Sequence, residues 1–293
     1  FRSFDSVRGA TAYLGSNLTN AEQTVSGVTA FNSNGFSLGN AVGGNNTSET
    51  YVAWQWKAGG AAVSNTSGSI TSTVSANTTA GFSVVTYTVT GANATVGHGL
   101  GVAPSMVIAK QRDGANSWQT YHSGLTNASY ALLLESTSAQ FSYPTGWNST
   151  APTSTVFSIG TSGNVNTSTK TYVAYCWAEV AGFSKFGSYT GNGSADGPFV
   201  FTGHRPRWLM IKRSDAGTED WWIHDTARDT YNSSNAMLAA DLSSAELNSS
   251  TYAIDIVANG FKIRTTNSYC NASGATYIFA AFAENPFRNA LAR

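Results

Sequence analysis

The chain predicts an all-β protein made of tandem β-sandwich, jelly-roll-like modules with short single-turn helices. Three observations carry this prediction. One strand-like segment recurs three times, Gly, Asn and Ser punctuate many short apolar runs, and apolar residues alternate with period two. The recurring segment is Thr171-Tyr172-Val173-Ala174-Tyr175-Cys176-Trp177. It returns as Thr50-Tyr51-Val52-Ala53-Trp54-Gln55-Trp56 and as Thr276-Tyr277-Ile278-Phe279-Ala280-Ala281-Phe282. Both of its faces are apolar or aromatic. It therefore predicts a strand buried on both sides, or one that bridges a core and a domain contact.

Other landmarks return in the same order. Gly81-Phe82-Ser83 reappears as Gly182-Phe183-Ser184, 101 positions on (182 − 81). Pro104-x-Met106-Val107-Ile108-Ala109-Lys110 reappears as Pro206-x-Trp208-Leu209-Met210-Ile211-Lys212, and Trp118-x-x-Tyr121-His122 as Trp221-x-x-His224-Asp225. Solenoid repeats run about 20–50 residues, so these units have the size of small domains instead. The expected division is an incomplete module at 1–60, a Ser/Thr-rich linker or edge strand at 61–80, a sandwich module at 81–181, and a second at 182–293 with a short tail. A strung array of domains is the expected arrangement. The first repeat begins near Phe4-Asp5-Ser6-Val7-Arg8 and has only the later landmarks. Its first half is cut away, left out, or supplied by another chain through strand addition.

Each element has a local reason. Ser83 to Thr90 alternates apolar and hydroxyl residues and reads as a strand. Met106 to Lys110 and Trp208 to Lys212 are short strands that follow a proline, which cannot sit inside a central ladder. Asn34-Gly35 and Asn259-Gly260 mark tight turns into strands. Thr19-x-x-Glu22, Thr137-x-x-Gln140 and Ser243-x-x-Glu246 have capping-box spacing at one repeat position and predict a single helical turn in each module. Glu179-Val180-Ala181-Gly182-Phe183 joins the last two modules without a spacer and predicts a stiff junction. Asn285-Pro286-Phe287 ends the last strand, and Phe287 to Arg293 docks or frays.

Charged residues make up 11% of the chain, against about 25% in a typical domain, and the formal net charge is zero. That balance argues against nucleic acid or an acidic membrane as partner. No run of about 18 apolar residues predicts membrane insertion. A surface of hydroxyls and amides, poor in Lys and Arg, suits an extracellular protein. Cys176 and Cys270 occupy non-equivalent repeat positions, and nothing in the spacing supports a bridge between them. Asn-x-Ser/Thr triplets abound, among them Asn17, Asn77, Asn93, Asn148, Asn192 and Asn271. Glycosylation and Asx-turns both explain them, and turns are the expected reading.

The histidines do not assemble a catalytic pattern. His98-Gly99-Leu100-Gly101 reads as a turn histidine bonded to its own backbone. His224-Asp225 has the residue types to orient an imidazole, without a nucleophile elbow beside it. No metal, phosphate-loop or cofactor motif appears, so no cofactor, no metal and no enzymatic activity are expected. Of the tryptophans, Trp54, Trp56 and Trp177 read as core, and Trp118 and Trp221 as core-edge. Trp147 and Trp222 have no tryptophan at the matching repeat positions, and are the candidates to face solvent and stack on a glycan.

Taken together, the motifs Gly81-Phe82-Ser83, His98-Gly99-Leu100-Gly101, Pro104-x-Met106-Val107-Ile108, Ala151-Pro152-Thr153-Ser154 and Thr171 to Glu179 resemble a module recurrent in tail-fibre and other virion proteins of marine bacteriophages. Its modules are similar to laminin-G/concanavalin-like sandwiches. The third module departs from the pattern at Gly203-His204-Arg205-Pro206. The resemblance implies a structural or adhesive protein at a virion surface, whose partners are copies of itself, other virion proteins and a host-surface glycan. The alternatives are glycan-binding modules of a secreted bacterial protein, or a hydrolase on a sandwich scaffold.

Overall fold

The computed structural model describes residues 1–40 and 44–284. The first repeat supplies β1 (Arg2–Asp5), β2 (Gly9–Gly15), β3 (Gln23–Thr24), β4 (Val28–Asn32) and β5 (Gly35–Leu38). The Ser/Thr-rich spacer forms β6 (Val63–Asn65) and β7 (Ser72–Asn77). The second repeat holds β8 (Phe82–Thr88), β9 (Ala94–Gly97), β10 (Met106–Gln111), β11 (Gln119–His122), β12 (Tyr130–Leu133), β13 (Phe141–Ser142), β14 (Val156–Ile159), helix α1 (Gly163–Asn166) and β15 (Thr171–Trp177). The third holds β16 (Ser184–Thr190), β17 (Phe199–Phe201), β18 (Trp208–Arg213), β19 (Trp222–Asp225), β20 (Ala236–Ala239), β21 (Leu247–Asn248), β22 (Ile254–Val257), β23 (Gly260–Ile263), α2 (Ser268–Asn271) and β24 (Thr276–Phe282). The protein is an all-β sandwich fold.

In the second module an eight-stranded sheet, ordered β13-β12-β11-β10-β15-β8-β7-β6, faces the small β14-β9 sheet. In the third, β16-β24-β18-β19-β20-β21 faces β17-β23-β22. The spacer at 61–80 is thus the edge of a sheet and not a free tether. The repeated landmarks have physical causes. Gly81 and Gly182 adopt φ of +66° and +77° just before β8 and β16, a region that favours glycine. Ser105 and Arg207, each just after its proline, donate to the Trp177 and Phe282 carbonyls and start the next ladder.

The strands β15 and β24 sit mid-sheet with both faces covered. Tyr172, Ala174 and Cys176 point into the core of the second sandwich. Tyr277, Phe279 and Ala281 do the same in the third. The opposite faces, Val173, Tyr175 and Trp177 with Ile278, Ala280 and Phe282, enter a further core that all three modules share. Leu14 joins it from the first module, with Trp54 and Trp56 packed against it. The doubly apolar pattern therefore marks strands that bridge a sandwich core and an inter-module core.

That shared core corrects the expectation of a strung array. The three modules close into a ring, and equivalent residues make the joints. The Trp118 indole donates to the Gly15 carbonyl of the first module (2.9 Å), and Trp221 donates to the Leu133 carbonyl of the second (2.9 Å). Gly15 and Leu133 hold the same register position, opposite Arg2 and Gln119. The Glu22 N–H donates to Arg112 O (2.7 Å), and the Gln140 N–H donates to Ser214 O (2.8 Å). A third joint closes the circle, where Ser16 Oγ donates to Ala240 O (2.6 Å) and Trp54 Nε1 donates to Asp225 Oδ2 (2.7 Å). At the centre Trp56 meets its repeat equivalents Trp177 and Phe282 edge-on, with centroids 6.2 and 5.6 Å away. Edge-to-face pairs of this kind add about 0.5–1.5 kcal/mol beyond area burial. Trp118→Ala should cost about 3–5 kcal/mol by cavity formation. Trp118→Phe should cost about 1–3 kcal/mol, because the indole donor is lost. Urea unfolding of both variants measures the difference.

Two local predictions fail. The segment from Thr50 to Ala58 is not a ladder strand. Tyr51 is 50% exposed, whereas Tyr172 and Tyr277 are fully buried. The reason is the absence of partners: β15 lies between β8 and β10, and the first repeat of this sequence has no counterpart of either. The capping-box segments at 19–22, 137–140 and 243–246 are irregular backbone, not helical turns. Glu22 turns to Arg8 and Arg112 instead, and Glu246 turns to Arg228. The single-turn α-helices are α1 and α2, capped by Ser162 and Asn267, and a 3₁₀ turn at Ser250–Tyr252 is capped by Ser249. By contrast, the Asn34-Gly35 and Asn259-Gly260 turns stand, each closing a two-residue hairpin loop. The tail expected to dock or fray, Phe287 to Arg293, lies outside the described residues.

Candidate functional site

Ionisable side chains cluster at the joints. In the first module Arg8 is enclosed and reaches Asp5, Glu22 Oε2 (2.9 Å), Ser3 O (3.0 Å) and the Tyr175 hydroxyl of the second module (2.8 Å). Tyr175 in turn donates to Asp5 Oδ2 (2.8 Å). Burial alone would lower the Arg8 pKa, but Tyr175, Asp5 and Glu22 outweigh it and hold it above the ordinary value. Burial likewise opposes ionisation of Glu22, and its bonds to Arg112 and Arg8 overcome that and lower its pKa. The third module repeats the constellation. Asp225 Oδ1 accepts from the Ala227 N–H, Arg228 lies 3.6 Å from Oδ2 and also binds Glu246, and Trp54 takes the place of Tyr175. The second module has His122 and Leu125 at these positions.

The histidines sit in the same framework. His98 Nδ1 accepts from the Leu100 N–H (3.2 Å), the self-bonded turn read from the sequence. His122 Nδ1 accepts from the Gly124 N–H (2.9 Å), so Nε2 carries the proton and donates to Phe279 O of the third module (3.1 Å). Burial pushes its pKa down to about 4. The His224-Asp225 pair does not orient a catalytic imidazole. Neighbours along a strand point to opposite faces, so His224 contacts Tyr269 and Ser234 while Asp225 faces Trp54.

Neither predicted glycan platform is available. Trp147 is 2% exposed, packed edge-on to Tyr121 inside the second sandwich. Trp222 is 7% exposed, between Tyr252 and Tyr269 in the third. A face covered by protein has no room for a sugar ring, so both readings are corrected to core packing. Their difference from the other repeats reflects local packing, not exposure. Cys176 and Cys270 are free thiols in separate cores, and burial raises the Cys176 pKa to about 12. Several triplets work as turns, with Asn65, Asn77, Asn127 and Asn192 each accepting the N–H two residues on. Asn166 and Asn271 are buried at equivalent positions, bonding the module's loops together.

Two surface features were not anticipated. The first is a cleft of about 710 Å³ at the first module's joint. Trp54, Trp56, Trp208 and Phe282 form its aromatic wall, with Lys57, Arg207 and Glu284 at its polar edge. Such a lining suits contact with an apolar or aromatic group flanked by charge. Asp225 reaches the wall but is already held by Trp54 and Ala227. The second feature is on the outer face of the third module, where Phe199 (48%) and Phe201 (61%) of β17 stand exposed. The sequence signal was their period-two spacing in a strand whose counterpart β9 carries Thr95 between Ala94 and Val96.

A family model described as Domain of unknown function (DUF7483) matches residues 1–286. The chain belongs to this family. The match covers all three repeats, the same span over which the DUF7483 chain closes its ring. No curated protein and no solved structure matches it.

Proposed function

We propose that this DUF7483 protein is a structural and adhesive component of a virion surface, a rigid block that presents β modules for host-surface attachment. The observation that carries the scaffold part is the ring itself. Equivalent side chains from three repeats close three joints, and Asp5, Arg8, Glu22, His122, Asp225 and Arg228 all serve those joints. A rigid block of this kind holds surface side chains in fixed relation, which suits weak contacts summed by repetition. A millimolar contact is worth about −4 kcal/mol, and multivalent display raises avidity by roughly 10²–10⁴. The resemblance of the repeated motifs to tail-fibre modules supports the virion setting.

The exposed pair Phe199 and Phe201 supports the adhesive part and replaces Trp147 and Trp222 as the glycan-facing aromatics. The double variant Phe199→Ser/Phe201→Ser should leave the unfolding midpoint nearly unchanged, within about 0.5 kcal/mol. It should reduce retention on bacterial surface polysaccharide at least several-fold. Failure of the unaltered protein to bind any cell surface or polysaccharide, together with a strictly monomeric mass, would defeat this reading.

A further inference from the structure

The second and third modules differ at one place in the middle of the chain. The second is preceded by the spacer 61–80, whereas the third follows β15 through the direct junction 178–183. The spacer closes two sheet edges at once. Its strand β7 pairs with β8 from Ser72↔Tyr87 to Asn77↔Phe82. Where β7 begins, the same segment also reaches the small sheet. The Ile70 N–H donates to Thr95 O of β9 (3.1 Å), and Ser72 Oγ donates to Gly97 O (2.8 Å). Ile70 and Val74 enter the second sandwich core between the two sheets.

In the third module both of these edges are open. β16 ends its sheet and β17 ends the facing one. Along an antiparallel edge strand, successive main-chain groups turn inward and outward by turns. The Ala283 N–H donates to Phe183 O and the Gly191 N–H to Ala275 O, so the odd-numbered residues of β16 bond to β24. Phe186, Ser188 and Thr190 therefore turn their N–H and C=O groups outward. By the same rule, the bonds from Ile263 N–H to Pro198 O and from Thr202 N–H to Asn259 O turn Phe199 and Phe201 outward from β17. Among the described residues no backbone–backbone hydrogen bond reaches these five outward positions. Phe199 and Phe201 hold the register of Thr95 and Gly97, whose carbonyls Ile70 and Ser72 engage in the second module. Tyr189 registers the difference. It stacks on Tyr277 as Tyr87 stacks on Tyr172, yet Tyr87 is buried and Tyr189 only half-buried. Lysine is a residue that commonly guards an edge, but Lys185 is tied to Glu179 (2.8 Å).

We infer that the β16/β17 side of the third module is a docking site for an extended, hydroxyl-rich segment of another protein, built like residues 68–77 of this chain. Recognition is by β-augmentation. The second module shows the chemistry the segment needs. Val84 and Thr86, the register equivalents of Phe186 and Ser188, pair with Ser75 and Thr73. Apolar β-branched side chains at the places of Ile70 and Val74 fill the space between the sheets. A hydroxyl at the place of Ser72 reaches the Phe201 carbonyl. A glycine at the place of Gly68 allows close approach, since a Cβ there would lie 2.3 Å from Thr95 O. A second copy of this chain is not the donor, because its own segment is already folded into its second module. The Phe199 and Phe201 rings lie on the face opposite Val200, which enters the core. The edge is thus separate from the glycan-facing rings and does not depend on them.

The test adds a synthetic peptide of residues 61–80 to the full chain, with a scrambled peptide as control. Hydrogen exchange at the Phe186 and Ser188 amides should slow by about 10-fold or more, saturably and with the native peptide only. Ser188→Pro in the protein should abolish the slowing at Phe186, because proline removes a ladder donor. It should leave the unbound protein's unfolding midpoint unchanged, since that N–H faces outward without a backbone partner. A peptide carrying Ile70→Asp and Val74→Asp should also lose the effect, with the protein itself unaltered. No slowing at saturating peptide, or equal slowing by the scrambled or Asp-bearing peptide, overturns the inference. Slowing that grows with protein concentration in the absence of peptide would show that a second copy takes the edge, and would overturn it as well.

Discussion

Replacing Arg8 with methionine should destabilise the protein by about 3–5 kcal/mol, the cost of leaving a buried ionic partner uncompensated. Arg8 is fully enclosed, and its removal strands Asp5 and the Tyr175 hydroxyl inside the joint between the first two modules. Arg8→Lys should rescue little, because an ammonium is a point charge and cannot span Asp5, Glu22, Ser3 O and Tyr175 as a planar guanidinium does. Arg112→Met provides the contrast. It touches the same Glu22 from a side chain that is 25% exposed, and should cost at most about 1 kcal/mol. The second module already shows an apolar solution, with His122 and Leu125 where the first has Asp5 and Arg8. The double variant Asp5→His/Arg8→Leu should therefore recover part of the loss, leaving Tyr175 without its carboxylate. Equal losses in the Arg8 and Arg112 variants, measured by urea unfolding, would refute the view that the enclosed network holds the joint.

Acid should destabilise the protein progressively as pH falls from about 6.5 to about 3. Burial holds the His122 pKa at about 4, and burial with the nearby Arg228 holds that of His224 at about 3. The unfolded chain takes up these protons near pH 6.5, before the folded one does. Stability from each imidazole is thus fully present above pH 6.5 and is lost as pH falls toward the folded value. At one pKa unit per 1.36 kcal/mol, His122 contributes about 3 kcal/mol and His224 about 5 kcal/mol. Glu22, whose folded pKa is lowered, acts with the same sign at lower pH. His122→Asn keeps an acceptor for the Gly124 N–H and cannot take up the proton. It should flatten the dependence of the melting temperature on pH across this window. A wild-type melting temperature that stays level from pH 7 to pH 4.5 would contradict the neutral, enclosed imidazoles.

The strands legible beforehand were those whose local signals and tertiary surroundings agree. Tyr172 to Trp177 and Thr276 to Phe282 alternate strictly, are apolar on both faces, and lie mid-sheet with both faces buried. The identical signal at Tyr51 to Trp56 failed, because a strand exists only when neighbours accept its hydrogen bonds. The capping boxes failed for a related reason. Glu22, paired with Arg8 and with Arg112 across the joint, and Glu246, paired with Arg228 of its own module, gain more than a carboxylate gains at the start of a turn too short to hold it. The lack of tryptophan counterparts to Trp147 and Trp222 reports divergence between repeats and says nothing about exposure.

The sequence by itself determined the all-β class, the three repeats and the positions of β5, β8, β10, β15, β18, β23 and β24, because period-two patterning, turn residues and β-branched content act over a few neighbouring residues. Tertiary structure alone decided that the repeats close on one another, that Asp5, Arg8, Tyr175, Asp225 and Trp54 meet, and that Phe199 and Phe201 face solvent. Those outcomes join residues as far apart as Ser16 and Ala240, 224 positions along the chain. No local rule reaches that far, since which apolar face meets which is set by the packing of whole sheets around a common core.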